Sequence, residues 1–271
     1  GGGLLQEAIE LTGLFIEQGP VVQVRGTGGR VEILEDLDEA IHYRGPLAIL
    51  TNRMSASASE ILAGAVQDYG RGIVIGEQTF GKGTVQSMME LERGQLKATI
   101  AKFYRITGGS TQHRGVEPDI SYPAMHDMNS IGESALTEAM PWDTIDKVSY
   151  ESYGSLEPVI DTLQDRHLKR QKNDPDYAYR LAVIDRRQEI LKKKTLSLNE
   201  EVRRKERSDA KEWELALENK LRLAKNQTPI ETLDELESED AQDSQDDPQL
   251  VEAANILLDY AALSSQATAQ K

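Results

Sequence analysis

The sequence predicts an α/β core followed by a mainly α-helical C-terminal domain. Three observations lead there. Short apolar runs alternate with helical periods up to about residue 123, the order of an α/β layer. Glycine and proline punctuate that half at each change of element. Past Leu156 the chain turns rich in Lys, Arg, Glu and Leu at helical spacing.

Leu4, Leu5, Ile9, Leu11, Leu14 and Phe15 recur at near-helical spacing and predict a first helix to about Gln18, stopped by Gly19-Pro20. Val21–Val24 and Val31–Leu34 read as strands around the turn-forming Gly26-Thr27-Gly28-Gly29. Pro46–Leu50 is a compact apolar run, a buried strand. A helix follows from Ser57 to Tyr69, with Ile61, Leu62, Ala65, Val66 and Tyr69 on one face. Gly70 and Gly72 end it, and Ile73–Ile75 is the next strand. Gly76–Gly83 is a glycine-punctuated loop, and Thr84–Leu91 with Leu96–Tyr104 forms a hairpin through Arg93-Gly94. Gly108–Gly115 is a further loop.

The expected division is a core over 1–123, a linker over 124–154 and a helical domain over 155–271. Helical periodicity marks Leu163–Arg170, Ala178–Lys194, Glu200–Lys225 and Leu250–Leu263. Between the last two, the acidic segment 231–247 holds no Lys or Arg and is expected to be extended or disordered.

The formal net charge of −15 argues against broad nucleic-acid binding, which rests on a positive patch. No apolar run approaches the twenty residues of a membrane span. Cysteine is absent, which excludes disulfides, thiolate zinc sites and thiol nucleophiles. His42, His113, His126 and His167 lie in separate segments without a second ligand at metal spacing, so no metal or cofactor is expected. Gly1, Gly2 and Gly3 directly precede an amphipathic run with no initiator Met, and the chain is expected to be a fragment whose leading loop begins upstream.

Candidate chemistry centres on Ser55-Ala56-Ser57-Ala58-Ser59-Glu60, between a buried strand and a helix. A serine at such a turn presents its hydroxyl beside helix N–H groups able to stabilise an oxyanion. Ser57-Ala58-Ser59-Glu60 equally matches a capping box, in which Ser57 would do no chemistry. The second element is Lys82, between Gly81 and Gly83, where the backbone can approach another segment closely. As a general base its amine must be neutral near pH 7, which takes desolvation. Ile75, Leu50 and Phe80 could supply an apolar pocket. Lys82 could also be a solvated loop residue. Gly76 to Lys82 further fits the G-x-x-x-x-G-K phosphate cradle of a nucleotide-binding protein. Gly83 stands where that motif needs Ser or Thr, however, and the chain continues with strand alternation.

These residues resemble a known family. Ser55–Ile61, Gln67-Asp68, Gly76-Glu77 and Thr79-Phe80-Gly81-Lys82-Gly83-Thr84-Val85-Gln86 look like the signature of the carboxyl-terminal processing proteases, peptidase family S41. Phe103-Tyr104-Arg105, Gly108–Gln112 and Gly115–Ile120 extend the match. The helical tail with Ala139–Asp143 is similar to the family's tail-specific branch.

The resemblance implies a ClpP/crotonase-like core and a serine endopeptidase working through an acyl-enzyme. In it Ser57 would be the nucleophile and Lys82 the base, with Gln86 orienting the lysine. The amides of Ala58 and Gly3 would form the oxyanion hole. Asp68 matches a position the family uses, yet eleven helical residues set it roughly 16 Å from Ser57, so it reads as support, with Arg71 as its expected partner. The resemblance further implies unfolded or C-terminally tagged protein substrates, a periplasmic location in a Gram-negative bacterium, and adaptor docking on the helical regions. It also implies an N-terminal half with a PDZ domain outside this sequence. A catalytically silent scaffold, with Ser57 as a mere cap, is the bland alternative.

Overall fold

The computed structural model describes residues 1–127, 130–236 and 247–269. Two compact units divide it, one from Gly1–Leu163 with Leu257–Lys271, the other from Gln164–Ile256.

The first unit carries two sheets. One is antiparallel, from β1 (Gly19–Gly26), β2 (Val31–Asp36), β5 (Thr84–Glu90) and β6 (Gln95–Tyr104), in the order β2-β1-β6-β5. The other is parallel, from β3 (Ala48–Thr51), β4 (Ile73–Gly76) and β7 (Ile120–Ser121), in the order β3-β4-β7. Both faces of β4 are covered and every residue in it is buried, as its unbroken Ile-Val-Ile run demands.

Helix α1 (Leu5–Gly13) and helix α2 (Ala58–Asp68) pack on the antiparallel sheet. Ala58, Ile61, Ala65 and Tyr69 of α2 join Ala8, Ile9, Val21, Val22 and Phe103 in one core. Ala63, on the opposite side of α2, packs with Val74 of β4. One helix thus seals against both sheets. Burying a side chain such as Ile61 or Phe103 contributes about 1.5–3 kcal/mol. The end of α2 is set by Gly70, whose φ of +61° closes a Schellman turn: Arg71 N–H reaches the Val66 carbonyl at 3.0 Å and Gly70 N–H that of Gln67 at 2.9 Å.

The first helix is shorter than its periodicity implies. It stops at Gly13; Leu14 beyond it is exposed, while Ile16 turns into the core outside the helix. Pro20 then sits inside β1, beside a register shift that spares the ladder its missing N–H.

Helices α3 (Glu157–Gln171), α4 (Pro175–Lys192), α5 (Glu200–Ala224) and α6 (Pro248–Ala269) build the helical part. Asp174 and Asn199 cap α4 and α5 through their side chains, and Pro175 opens α4 where no N–H is needed. In the second unit His167, fully buried on α3, meets Glu252 of α6 at 2.8 Å. Of the acidic stretch expected to be extended or disordered, residues 237–246 lie outside the described residues. No helix among the described residues is long and apolar enough to cross a membrane.

Candidate active site

Ser57 stands at the hinge between β3 and α2 with φ 57° and ψ −113°, a conformation that costs a non-glycine residue energy. The surroundings hold it there. Ser57 N–H donates to Glu60 Oε2 at 2.7 Å, the carboxylate half of a capping box. The hydroxyl half, toward the Glu60 amide, is also in place, though it is too loose to count as a hydrogen bond. Gly2 braces the turn from outside. A Cβ on Gly2 would lie 2.3 Å from the Ala56 carbonyl and 3.0 Å from the Ala58 nitrogen, so only glycine fits.

Lys82 sits on the loop between β4 and β5. Both flanking glycines are required by contact: a Cβ on Gly81 would meet the His113 carbonyl at 2.8 Å, and one on Gly83 the Gln112 nitrogen at 2.7 Å. The loop is gripped from two sides. Glu60, with no exposed surface, accepts the Gly81 amide at 2.7 Å, the Lys82 amide at 2.9 Å and the Thr79 hydroxyl at 2.5 Å. From the other side Gln112 accepts the Gly83 amide at 2.8 Å and itself donates to Glu133 at 2.9 Å. The loop amides that a phosphate would need are thus engaged by an internal carboxylate. The chain then enters a strand, not the helix of a phosphate cradle.

Desolvation pushes the Lys82 amine below the ordinary lysine range. The charges of Glu133 and Glu60 oppose that, and the like charge of Lys97 adds to it. Lys82 Nζ donates to the Thr84 carbonyl at 2.8 Å. Desolvation also dominates at Glu60, whose pKa is pushed up to about 7 against the four hydrogen bonds it accepts.

Ser57, Lys82, Ala58, Gln86, Gly2 and Gly3 line one cavity of 570 Å³, whose walls are completed by apolar side chains including Leu5, Ile61, Val85 and Phe103. Asp68 does not line it. The aspartate lies at the far end of α2 and pairs with Arg105, not the expected Arg71. Its two oxygens take Arg105 Nη2 at 2.6 Å and Nε at 3.0 Å, a bidentate fork. Arg71 instead spends its guanidinium on the carbonyls of Phe15, Tyr43 and Gly45.

Sequence reasoning saw Glu60 only as half of a cap. The structure makes it the tie between the serine turn and the lysine loop. A hint was present: a loop as glycine-rich as Gly81–Gly83 exposes amides that need an acceptor once buried.

A serine on a strained strand-to-helix turn beside an apolar-walled cavity is an arrangement that serine hydrolases use. The family described as peptidase family S41 matches residues 1–122, and the C-terminal domain of tail specific protease matches residues 126–262. The chain belongs to peptidase family S41, in its tail-specific protease branch. A tail-specific protease of Haemophilus influenzae is 44% identical over 218 residues, 76% of this chain and 31% of the relative. A carboxy-terminal-processing protease of Bartonella bacilliformis is 43% identical over 125 residues, 44% of this chain and 28% of the relative. Among solved structures, the photosystem II D1 C-terminal processing protease is 35% identical with a TM-score of 0.40, over 45% of this chain and 32% of that one. The chain spans under a third of the length of these curated relatives.

Proposed function

We propose that the protein is a serine endopeptidase in which Ser57 attacks the scissile carbonyl and Lys82 takes the serine proton. Attack forms the Ser57–carbonyl bond, and the resulting oxyanion is held by the amides of Ala58 and Gly3. Lys82 hands the proton to the leaving amine, the peptide bond breaks, and an acyl-Ser57 ester remains. Water, activated by the same amine, then releases the acyl group. Gln86 keeps the lysine side chain on the serine side of the cavity, and Asp68 supports the far end of α2.

The observation that carries this reading is the single cavity shared by Ser57 and a Lys82 amine whose pKa burial lowers. A neutral amine can donate to the Thr84 carbonyl and still offer a lone pair. A solvated, charged lysine could not serve as base. The tail-specific and carboxy-terminal-processing names of the bacterial relatives support action on protein C-termini; a periplasmic setting, unfolded or C-terminally tagged substrates and adaptors docking on the helices are further parts of this proposal.

Hydrolysis of an unstructured protein by the intact enzyme tests the reading. Ser57→Ala and Lys82→Ala should each abolish it with the fold retained. An activated acylating reagent should label Ser57 only while Lys82 is present. Hydrolysis surviving in either variant would overturn the dyad.

A further inference from the structure

The cavity holding Ser57 and Lys82 has a second amine on its wall, which the reaction above leaves unused. Lys97 stands on β6 and lines the cavity while its side chain remains exposed. Lys97 is level with Met88 and Thr99 with Gln86 across the hairpin, so Lys97 shares the face of Gln86, which lines the same cavity. Phe103 also lines it, beyond the register shift at Val85/Gln86, roughly 20 Å of strand from Lys97. Among the described residues it has no hydrogen-bond or ion-pair partner.

No carboxylate lines the cavity, and with Lys82 neutral as the base, Lys97 supplies the positive charge on its wall. Glu60 and Glu133, the carboxylates whose charge reaches Lys82, lie behind the loop. Glu60 is buried with its oxygens committed to Ser57, Thr79, Gly81 and Lys82, and Glu133 is hydrogen-bonded to Gln112. In a chain of net charge −15 this positive lining is local, not the average of the surface. A peptide extended along the hairpin from Ser57 would pass Lys97, which lines the same cavity.

We propose that Lys97 is a specificity-determining residue that selects a carboxylate on the bound peptide, several residues from the scissile bond. The proposal rests on reading the cavity as a peptide-binding site. Its chemistry is a single exposed ion pair, so a carboxylate should be preferred over the isosteric amide by about fivefold at low salt. Screening should erode that preference. A peptide carrying Lys or Arg at the same place meets the like charge of Lys97 and is disfavoured.

The test uses the full chain carrying Ser57→Ala, so that bound peptide is not cut, and reads affinity by fluorescence anisotropy. The probes are labelled, C-terminally amidated decapeptides, paired so that one member has Glu and the other Gln, the exchange being moved along the peptide. A further pair compares a free C-terminal acid with its amide. The expected result is a Glu or free-acid preference that falls to near unity when Lys97→Gln is added. It should reverse with Lys97→Glu, survive Lys97→Arg, and shrink in half-molar sodium chloride. A preference confined to the free-acid pair assigns the carboxylate to the peptide terminus, one confined to Glu to a side chain, and either supports the proposal. Equal affinities throughout, no binding of any probe, a preference untouched by salt, or one that persists in Lys97→Gln overturns it. Failure of the protease reading shows separately, as absent hydrolysis in the enzyme that retains Ser57.

Discussion

Glu60 Oε2 accepts the Lys82 backbone amide at 2.9 Å, and the same oxygen accepts the amide of Ser57 at 2.7 Å. One buried carboxylate therefore sets the spacing between the two segments that carry the proposed nucleophile and base. A glutamine of the same shape offers one acceptor oxygen where the carboxylate offers two, and turns an NH₂ toward amides that are themselves donors. Each buried amide left without an acceptor costs about 1–3 kcal/mol. Glu60→Gln should lower kcat about a hundredfold with KM changed much less, because the loss is in positioning. Steady-state kinetics on a short peptide would check it; a kcat near that of the unmodified enzyme would show that the loops hold their spacing without this carboxylate.

The same residue should make stability depend on pH in an unusual direction. Its folded pKa of about 7 lies above the ordinary 4.5 because burial outweighs the hydrogen bonds it accepts. A carboxyl that binds its proton more tightly when folded is most stabilising at low pH, and stability falls as pH rises from about 4.5 to about 7. The loss attributable to Glu60 over that window is roughly 3 kcal/mol. Urea unfolding at both ends of the window, with Glu60→Gln as reference, measures it. If the difference between the two proteins is the same at both pH values, Glu60 is charged throughout.

At Lys82, desolvation is opposed by Glu133 and Glu60 and reinforced by Lys97, with desolvation the largest. The kcat/KM profile should therefore rise with an apparent pKa below that of a free lysine. Lys82→Arg should not rescue Lys82→Ala, because a guanidinium stays charged and offers no lone pair. Losses of at least about a thousandfold are expected for Ser57→Ala and Lys82→Ala. A profile whose rising limb matches free lysine would mean that the amine is solvated during turnover.

Much of this was legible before any coordinates. The strand-to-helix turn at Ser57 could be read because β3 is a compact apolar run and α2 has clear helical spacing; both are local signals. Lys82 stood out because glycines flank it. The roles of Glu60, Arg105 and His167 were not legible, since each depends on a partner distant in sequence. Asp68 was assigned Arg71 on proximity along the chain, but Arg71 is taken by the carbonyls of Phe15, Tyr43 and Gly45, and Arg105 arrives from the end of β6. Helix α1 was read too long because Leu14, Phe15 and Ile16 continue the apolar content while the backbone has already turned. Apolar spacing continues past the helix end, yet of these residues only Ile16 is fully buried and Leu14 is exposed.

In the helical unit His167 and Arg170 act together on Glu252. Burial alone would raise this carboxylate's pKa, yet hydrogen bonds from His167 and Arg170 and their charges bring it below the ordinary value. The sign follows: a depressed carboxylate contributes stability above about pH 4.5 that is lost as pH falls through its folded pKa. Hydrogen exchange of α3 and α6 in the full chain should accelerate on acidification below that value. Glu252→Gln should exchange faster at neutral pH and respond less to acid. Protection in Glu252→Gln equal to that of the unmodified chain would mean that apolar packing, such as that of the fully buried Ile256, holds the helices by itself.

Asp68 separates a structural carboxylate from a catalytic one. Its side chain is 6% exposed and that of Arg105 21%, so the fork between them is largely withdrawn from water. Removing one partner leaves the other charge poorly solvated, at a cost of about 2–3 kcal/mol after allowing for the exposed edge of Arg105. Asp68→Ala and Arg105→Ala should each lower stability by about that much, and the double variant by less than their sum, since the second change removes a charge already stranded. Position argues against a proton role, because α2 runs from Ala58 to Asp68 and puts the carboxylate about 16 Å from Ser57. Assayed well below its melting temperature, Asp68→Ala should therefore lose less than about tenfold in kcat, against at least about a thousandfold for Lys82→Ala. If the two losses were equal while Asp68→Ala remained folded, the carboxylate would belong to the reaction and the helix between them would have to transmit its effect.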